Sequence, residues 1–447
     1  MYYSRWSTKE EVDKITETLD PKSQLEQSGI PLGYDKNKLN ILKNSFHTVV
    51  FGSMGSGKTQ TITLPLIRLS INAGESFVVN DPKGELYEKT ANKLESEGYS
   101  ITILDIDKPK YGDNFNPLTL PYYLYKNGEK DKATELVEEI GHYLIYDKKN
   151  VDSDPFWDNS TANLFTGLVL YLFEHAKENE INLNSVLELT NLFNKKEGSK
   201  EFLEKIDKNS TMYKYLMGTL LAPPETKGSI LSVFYQKINL FTSKEYLSEM
   251  LSKTSFDIKN IGNTKQAIFI KSGIASVSDY IIPMLITEIY TAIDIYANQK
   301  KRVNIILDDF DNINPINNFT KIITSSRSMN LSFTVMVSGE TNFIKKYGKE
   351  ETEIMKFCFQ NFIYLLSEDI NTLNDICSMC GKKNEKEDLI SIEELKSLET
   401  FEAIAIIIRT MPIRVKLLPD YKIDWGYTDK EKTIKERKLE EIKIYSR

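Results

Sequence analysis

The sequence has little cysteine, little histidine and no excess of positive charge. Its 447 residues include three cysteines, Cys358, Cys377 and Cys380. Three are too few for a disulfide framework, and this scarcity is typical of proteins that fold in a reducing compartment. Cys377 and Cys380 have the spacing of metal ligands, but the three histidines lie far away in the sequence. We therefore interpret this pair as structural or incidental rather than as half of a zinc site.

The charge balance excludes a protein coated evenly in basic groups. There are 57 lysines and arginines against 64 aspartates and glutamates, which gives a net charge of −7. Any contact with nucleic acid must then use local clusters of basic residues, because the summed field repels phosphates. Hydrophobic residues make up 40% of the chain and charged residues 27%, which excludes a disordered or fibrous protein.

Long uncharged apolar runs are also missing. The first residues, MYYSRWSTKEEVDK, have no apolar core of the kind found in signal peptides. The best membrane candidate, Tyr280 to Ala297, carries Pro283, Glu288 and Asp294. A spanning helix needs about 20 mostly uncharged residues. This run therefore predicts a buried amphipathic helix, and we expect no direct membrane span.

Short apolar, β-branched runs recur along the chain and alternate with helical patterns. Runs that are apolar throughout are typical of strands covered on both faces, as in a parallel sheet. We therefore predict an α/β fold with a mainly parallel, doubly wound sheet. The predicted strands are His47–Phe51, Phe77–Asn80, Ile101–Leu104, Ala267–Ile270, Val303–Leu307, Phe333–Val337, Phe362–Leu366 and Ala403–Ile408.

Between residues 116 and 253 the strand runs disappear and helix-period patterns take over, for example over Thr134–Tyr146 and Ala162–Glu174. This pattern predicts an all-α domain inserted into the α/β domain. The charged residues after Asp429 favour a solvated, helix-prone tail. The predicted organisation is a lead-in over 1–45, a nucleotide-binding domain over 46–115 and 254–420, the all-α domain over 116–253, and a charged tail over 421–447.

The sharpest local signal is the sequence GSMGSGKT, a full match to the phosphate-binding pattern G-x-x-x-x-G-K-[ST]. The run HTVVF leads into it as a strand, and a helical pattern follows. The pattern therefore has the strand–loop–helix context of a phosphate-binding loop. Chance alone would produce the pattern in a chain of this length on the order of 1% of the time. Pro65 is expected to disturb the following helix about two turns in. The candidate nucleotide-binding residues here are Gly52, Ser53, Met54, Gly55, Ser56, Gly57, Lys58, Thr59 and Gln60.

The chemistry of this loop explains its residue types. Glycines let backbone N–H groups turn inward around an anion, and the helix N-terminus adds its dipole. Lys58 is expected to reach the β- and γ-phosphates and to act in catalysis, while the Thr59 hydroxyl ligates Mg²⁺. We therefore predict ATP and Mg²⁺ as cofactors, although a cradle that contacts only phosphates does not separate ATP from GTP.

An acidic pair follows a second apolar run, in IILDDF. Asp308 would hold Mg²⁺, and Asp309 would polarise the attacking water. Alone, the pair is equally well interpreted as a strand that ends in a solvated turn. The phosphate-binding loop favours the functional interpretation.

Several sequence blocks together resemble the coupling proteins of type IV secretion systems, the TraG/TraD-type ATPases of conjugative DNA transfer. The resemblance extends from about Ser4 to Asp420 and includes the sequences DPKGEL and NPL. The blocks that carry it are His47–Gly52, Thr63–Leu69, Val79–Leu86, Asn116–Leu118, Asp154–Ser160, Leu251–Asp257 and Tyr347–Gly348.

The resemblance implies a RecA-like P-loop motor that forms a homo-hexamer, with ATP between subunits and DNA in a central channel. Arg327 falls where the family has an arginine after its second acidic motif. It is either a finger that reaches a neighbouring subunit's nucleotide or the partner of a surface ion pair. Asp81 and Lys83 lie at the carboxyl end of a predicted strand, where they either serve the nucleotide site or stabilise a turn.

The sequence departs from the family in three places. The family usually has Asp-Glu where this chain has Asp308 and Asp309, and it commonly has a γ-phosphate-sensing glutamine where this chain has Ser338. A carboxylate set back by one methylene can cost on the order of 100-fold in rate, so slow or partner-dependent hydrolysis is expected. The family's N-terminal membrane anchor is not seen, which fits either a truncated chain or an anchorless form recruited by a membrane partner.

Three functions remain open from the sequence. The leading one is an ATPase that recruits a relaxase–DNA complex, or a protein effector, to a secretion channel, at the cytoplasmic face of the membrane and through a partner. The second is a nucleotide-gated adaptor that hydrolyses weakly. The third is a cytosolic DNA translocase unrelated to secretion.

Overall fold

A computed structural model of the chain describes residues 3–44, 46–146, 154–194, 198–273, 277–296, 301–430 and 432–446. Its strands are β1 Thr16–Leu19, β2 Pro31–Asp35, β3 Lys38–Leu42, β4 Thr48–Gly52, β5 Ser76–Asn80, β6 Ser100–Asp105, β7 Gln266–Lys271, β8 Val303–Leu307, β9 Leu331–Val337, β10 Asn361–Leu366, β11 Glu402–Ile407 and β12 Ile413–Lys416.

The α-helices are α1 Lys9–Ile15, α2 Leu64–Ala73, α3 Glu85–Ser96, α4 Thr119–Lys126, α5 Lys130–Ile145, α6 Pro155–His175, α7 Leu183–Thr190, α8 Gly198–Leu203, α9 Thr211–Leu220, α10 Pro224–Thr242, α11 Glu245–Met250, α12 Ser278–Tyr296, α13 Phe319–Ser326, α14 Glu340–Tyr347, α15 Lys349–Cys358, α16 Ile370–Cys380 and α17 Ile392–Lys396.

One large sheet carries the site. Its strand order is β12-β11-β10-β4-β9-β8-β5-β7-β6. The pairings from β10 through β4, β9, β8 and β5 to β7 are parallel, and β11 and β12 add an antiparallel edge. Each of the eight predicted apolar runs forms a strand of this sheet. The predicted α/β fold with a mainly parallel sheet is therefore confirmed.

The strand β4 leads into the phosphate-binding loop, and it lies in the middle of this sheet between β10 and β9. All five of its residues are buried. Two neighbouring parallel strands fix its register, with Val50 opposite Ile363 on one side and Met336 on the other. A loop that starts from such a strand begins at a fixed point on the carboxyl edge of the sheet.

The chain divides into two compact units. The first comprises Met1–Thr102, Asn260–Ser272 and Ile293–Thr433, and it contains a small antiparallel sheet of order β1-β3-β2 as well as most of the large sheet. The second comprises Ile103–Lys259, Gly273–Ala292 and Ile434–Arg447. Its long first segment contains the helices α4 to α11, as the strand-poor pattern predicts. The second unit starts earlier than residue 116 and includes two segments that the predicted all-α domain leaves out.

The apolar run from Tyr280 forms the helix α12, with Pro283 inside it and Glu288 almost fully buried. Ala297, the predicted end of this run, lies outside the described residues. Among the residues that the structure describes, no helix is both long enough and apolar enough to cross a membrane.

The charged tail differs from its prediction. Residues 432–446 contain no helix. Their extended backbone forms hydrogen bonds within the second unit instead. Glu436 and Tyr111 form an isolated antiparallel β-bridge, and the Arg437 N–H donates to the Lys110 carbonyl at 2.7 Å. The Arg437 guanidinium also pairs with the buried carboxylate of Glu249. The helix-prone tail thus forms no helix, because these partners satisfy the backbone groups of an extended chain. Most of its residues are exposed to solvent, as predicted.

Candidate nucleotide-binding site

The phosphate-binding loop is built at the carboxyl end of β4. Gly52 closes the strand, and a β-carbon placed on it would lie 2.4 Å from the Ser56 Oγ, so a larger residue would not fit under the loop. Gly57 has a φ of +93°, a conformation that glycine adopts at little cost. The Ser53 N–H donates to the Leu366 carbonyl at 2.7 Å, which anchors the loop to the end of β10, while Met54 stands almost fully exposed at its tip.

The helix after the loop begins with a π-helical turn over Thr59–Thr63, which includes Gln60, and continues as α2 from Leu64. Pro65 therefore stands in the first turn of α2. The helical run is continuous, and its geometry changes from π to α immediately before Pro65. The predicted disturbance about two turns into the helix is therefore present as a π turn, since proline cannot donate the hydrogen bond of a regular α-helix.

Lys58 lies inside the loop. Its ammonium Nζ donates to the carbonyls of Gly52 at 2.5 Å and Ser53 at 3.1 Å. Two backbone carbonyls thus hold the amine in the concave side of the loop, and phosphate oxygens can replace them as acceptors. The position suits the role predicted for this lysine.

Asp308 and Thr59 meet although 249 positions separate them in the sequence. The Asp308 Oδ2 accepts hydrogen bonds at 3.0 Å from the hydroxyls of both Thr59 and Thr63. Burial of Asp308, and then the neighbouring Asp309 carboxylate, raise the pKa of its carboxyl group. A carboxylate and a hydroxyl side by side are the hard oxygen donors that Mg²⁺ prefers, with phosphate and water oxygens completing its shell. These residues therefore fit a magnesium ion.

Two residues that support Asp308 are missed by the sequence reasoning. Thr63 lies one helical turn after Thr59, so the i, i+4 spacing is the signal that was available. Asn80 ends β5, and its side-chain amide donates to the Asp308 carbonyl at 2.8 Å. The Ser272 hydroxyl in turn donates to the Asn80 Oδ1 at 3.2 Å. Asn80 lies within the DPKGEL block, but only the fold reveals its contact.

Asp81 makes the contacts of a turn-stabilising residue. Its Oδ2 accepts from the Tyr87 N–H at 2.9 Å, in the first turns of α3, and its own N–H donates to the Ile270 carbonyl. Burial raises its pKa to about 6. Lys83 lies exposed on the same turn. These contacts favour the turn-stabilising alternative for Asp81.

Asp309 is exposed and has a φ of +52°, which aspartate tolerates better than most residues. A third carboxylate, that of Asp311, lies beside Ser338. The Ser338 N–H donates to the Asp311 Oδ2 at 2.7 Å, and within the described part of the chain the buried Asp311 Oδ1 has no hydrogen-bond partner. The Ser338 hydroxyl accepts from the Asn342 amide at 2.7 Å. No pattern in the sequence distinguishes Asp311 from the neighbouring acidic residues.

Arg327 lies apart from this cluster, in a short 3₁₀ turn over Arg327–Met329 that follows α13. Its side chain is exposed, and its guanidinium carbon lies 4.3 Å from the centre of the Phe46 ring. The described residues contain no ion pair of Arg327. The surface ion pair considered from the sequence is therefore replaced by a cation–π contact, which leaves the charge accessible.

The chain is similar to known proteins in its sequence family and in its fold. The family model described as "Type IV secretory system Conjugative DNA transfer" matches residues 5–403. No curated protein sequence gives a match. Among solved structures, the plasmid coupling protein TrwB in complex with the ATP analogue ADPNP is 14% identical, with a TM-score of 0.65 and coverage of 98% of this chain and 96% of that one.

Two more structures share the fold. TrwB in complex with ADP and Mg²⁺ is 13% identical, with a TM-score of 0.64 and coverage of 98% and 96%. VirB4 of Thermoanaerobacter pseudethanolicus is 14% identical, with a TM-score of 0.57 and coverage of 89% of this chain and 98% of that one. The sequence resemblance to coupling proteins is confirmed, and the chain belongs to the conjugative DNA transfer family of type IV secretory systems.

Proposed function

We propose that this protein binds and hydrolyses ATP, and that it uses the energy to recruit and translocate DNA, as a relaxase–DNA complex, or a protein substrate to a secretion channel. The observation that carries the proposal is the meeting of Thr59 and Asp308 beside the loop that holds Lys58. A strand–loop–helix cradle with an acidic residue at this position is the minimal machinery for phosphoryl transfer.

Each residue of the cradle has a distinct task. The backbone from Gly52 to Gln60 surrounds the phosphates, and Lys58 neutralises charge on the β- and γ-phosphates. Thr59 and Asp308 would hold Mg²⁺, which when bound neutralises the charge that develops on the phosphate oxygens. Asp309 orients the attacking water, with Ser338 beside the γ-phosphate end of the site.

The proposed assembly is a homo-hexamer in which each nucleotide lies between two subunits. Arg327 is accessible and would reach across to the neighbour's nucleotide as a catalytic finger. We place the assembly at the cytoplasmic face of the cell membrane, held there by a membrane-anchor or channel protein. A ring can line its channel with basic groups while its net charge stays negative.

ATP turnover with and without DNA tests this proposal. We expect DNA to stimulate turnover and Lys58→Ala to abolish it, because the alanine cannot stabilise the phosphate charge. Lys38→Ala, at an exposed lysine of β3, is the matched control and should turn over ATP like the parent. If DNA has no effect and Lys58→Ala hydrolyses as fast as the parent, the motor proposal fails.

The second candidate is an adaptor that binds nucleotide and substrate but barely hydrolyses. It is favoured by the short Asp309 side chain and by Ser338 in place of a longer amide. In Asp309→Glu the carboxylate gains one methylene, and we expect turnover to rise if the short reach limits the reaction. Turnover that stays near zero in both proteins, with ATP still bound, would support the adaptor.

DNA binding has its own signature. If lysines and arginines contact phosphates, the affinity falls steeply as salt increases, because binding releases condensed counterions. We expect this slope for single- or double-stranded DNA. A flat response to salt would count against a DNA channel and favour a protein substrate.

A further inference from the structure

A strained aromatic residue lies against the phosphate-binding loop and belongs to none of the motifs above. Phe401 has a φ of +67°, in the left-handed region, where a bulky residue is an outlier. A β-carbon built on Gly57 would lie 2.9 Å from the ring atoms Cδ1 and Cε1 of Phe401. The half-buried ring therefore packs directly on the loop. Backbone strain of this kind is concentrated at ligand-binding sites.

The turn that carries Phe401 is tied to the neighbouring strand β12. The Phe401 carbonyl accepts from the Leu417 N–H at 2.8 Å, and the Glu402 N–H donates to the Glu399 carbonyl at 2.9 Å. Glu402 also pairs with Arg414 at 2.6 Å, and Glu399 with Lys416 at 2.7 Å. These contacts fix the position of the Phe401 backbone relative to the β11–β12 hairpin.

The strand order places Phe401 on the side of the loop away from Asp308. β9 and β8 lie on one side of β4, and β8 leads to Asp308, whereas β10 and β11 lie on the other side. Because β11 runs antiparallel to β10, its start lies at the edge of the sheet where β4 ends, with Tyr364 of β10 paired to both Phe51 and Ile404.

A nucleoside triphosphate in this loop has a fixed direction. Its γ end must reach the oxygens of Thr59 and Asp308, so its nucleoside end leaves the loop on the opposite side, where Phe401 lies. We propose that the Phe401 ring is the platform for the nucleoside of the bound nucleotide. This inference rests on the proposed function and deepens it. Because every base has a π-face, the platform accepts adenine and guanine alike.

The test compares MgATP with magnesium and inorganic triphosphate, which has the phosphates but no nucleoside. Phe401→Asn removes the ring and keeps a residue that tolerates a positive φ. By calorimetry, we expect this variant to bind MgATP about 5- to 100-fold more weakly, the range for loss of one base–aromatic stack. Its affinity for triphosphate should stay that of the parent, and Phe401→Trp should restore MgATP binding.

Phe357→Asn is the matched control, because Phe357 is an aromatic residue with 80% exposure elsewhere in the first unit, and it should bind both ligands like the parent. If Phe401→Asn weakens both ligands equally, the ring only supports the loop and the inference is wrong. It is also wrong if neither affinity changes. If the parent protein binds neither ligand, the proposed function fails and the inference fails with it.

Discussion

His47, at the start of β4, is a buried histidine held in one tautomer. Its Nε2–H donates to the Ile323 carbonyl at 2.7 Å, and its Nδ1 accepts from the Phe333 N–H at 3.0 Å. The ring thus ties the strand of the phosphate-binding loop to α13 and β9. Burial, together with the nearby charge of Arg327, lowers the pKa of His47 to about 4.

This pKa predicts a pH dependence of stability. The unfolded chain takes up a proton near pH 6.5, whereas the folded protein resists it until about pH 4. The free energy of unfolding should therefore be fully retained above pH 6.5 and fall by about 3 kcal/mol as the pH drops from 6.5 to 4.

Urea unfolding at several pH values measures this loss. In His47→Gln, which stays neutral, the part of the loss due to His47 should disappear. If parent and variant lose stability equally between pH 6.5 and 4, another group is responsible.

At the level of single residues, the sequence identifies those that belong to a recognisable motif. Lys58 and Thr59 follow from the loop pattern, and Asp308 from the end of an apolar strand. Asn80, Asp311 and Phe401 could not be found this way. Their positions depend on which strands become neighbours, and no local pattern encodes the pairing of β11 with β10.

At the scale of elements, a buried arginine joins α2 to the segment after β12. The Arg68 guanidinium is 2% exposed and bonds to both carboxylate oxygens of Asp420, at 2.8 and 3.0 Å. It also bonds to Asp429 at 2.8 Å and lies over the Trp425 ring. A cluster of apolar side chains packs around this junction. Its buried members are Leu19, Leu39, Ile41, Leu69, Ile423 and Trp425.

Removing one partner of this buried ion pair should be costly. Arg68→Met leaves the Asp420 carboxylate buried and unpaired, so we expect a loss of about 3–5 kcal/mol in the free energy of unfolding. Arg68→Met with Asp420→Leu should recover much of that loss, because no buried charge then remains.

Urea denaturation provides the measurement. The exposed pair Arg5–Glu11 is the matched control, and Arg5→Ala should change stability little, since solvent screens exposed pairs. A similar small effect of Arg68→Met would show that this buried pair is not a structural link.

The elements of the large sheet could be predicted because its central strands are apolar on both faces, which gives continuous runs. β1, β2, β3 and β12 were not predicted, because they are short and each includes exposed or partly exposed residues that interrupt the apolar run. The secondary structure of the tail was also predicted wrongly. Its composition favours a helix, but its extended backbone forms hydrogen bonds with residues of the second unit.

At the scale of the whole molecule, the proposed ring makes a prediction about mixed subunits. Lys58→Ala lacks the phosphate-binding lysine but keeps Arg327, and Arg327→Ala has the reverse defect. If the arginine acts on a neighbour's nucleotide, each variant should be inactive alone. Arg327→Ala should lower the rate of ATP turnover by roughly 10³-fold or more.

Mixing the two variants should then restore part of the turnover, because some interfaces combine an intact Lys58 with an intact Arg327. Titrating one variant into the other measures this recovery. If Arg327→Ala alone is as active as the parent, or if mixing restores nothing, Arg327 is not a finger supplied by a neighbouring subunit.

The central claim is that nucleotide hydrolysis at the Lys58 and Asp308 site is coupled to DNA. The most direct measurement is the steady-state rate of ATP hydrolysis by the parent protein at low salt, before and after single-stranded DNA is added. We expect this rate to rise with DNA and Asp308→Asn to eliminate it, because the amide is a poor magnesium ligand. A rate that DNA leaves unchanged, or that survives in Asp308→Asn, would rule out DNA-coupled hydrolysis at this site.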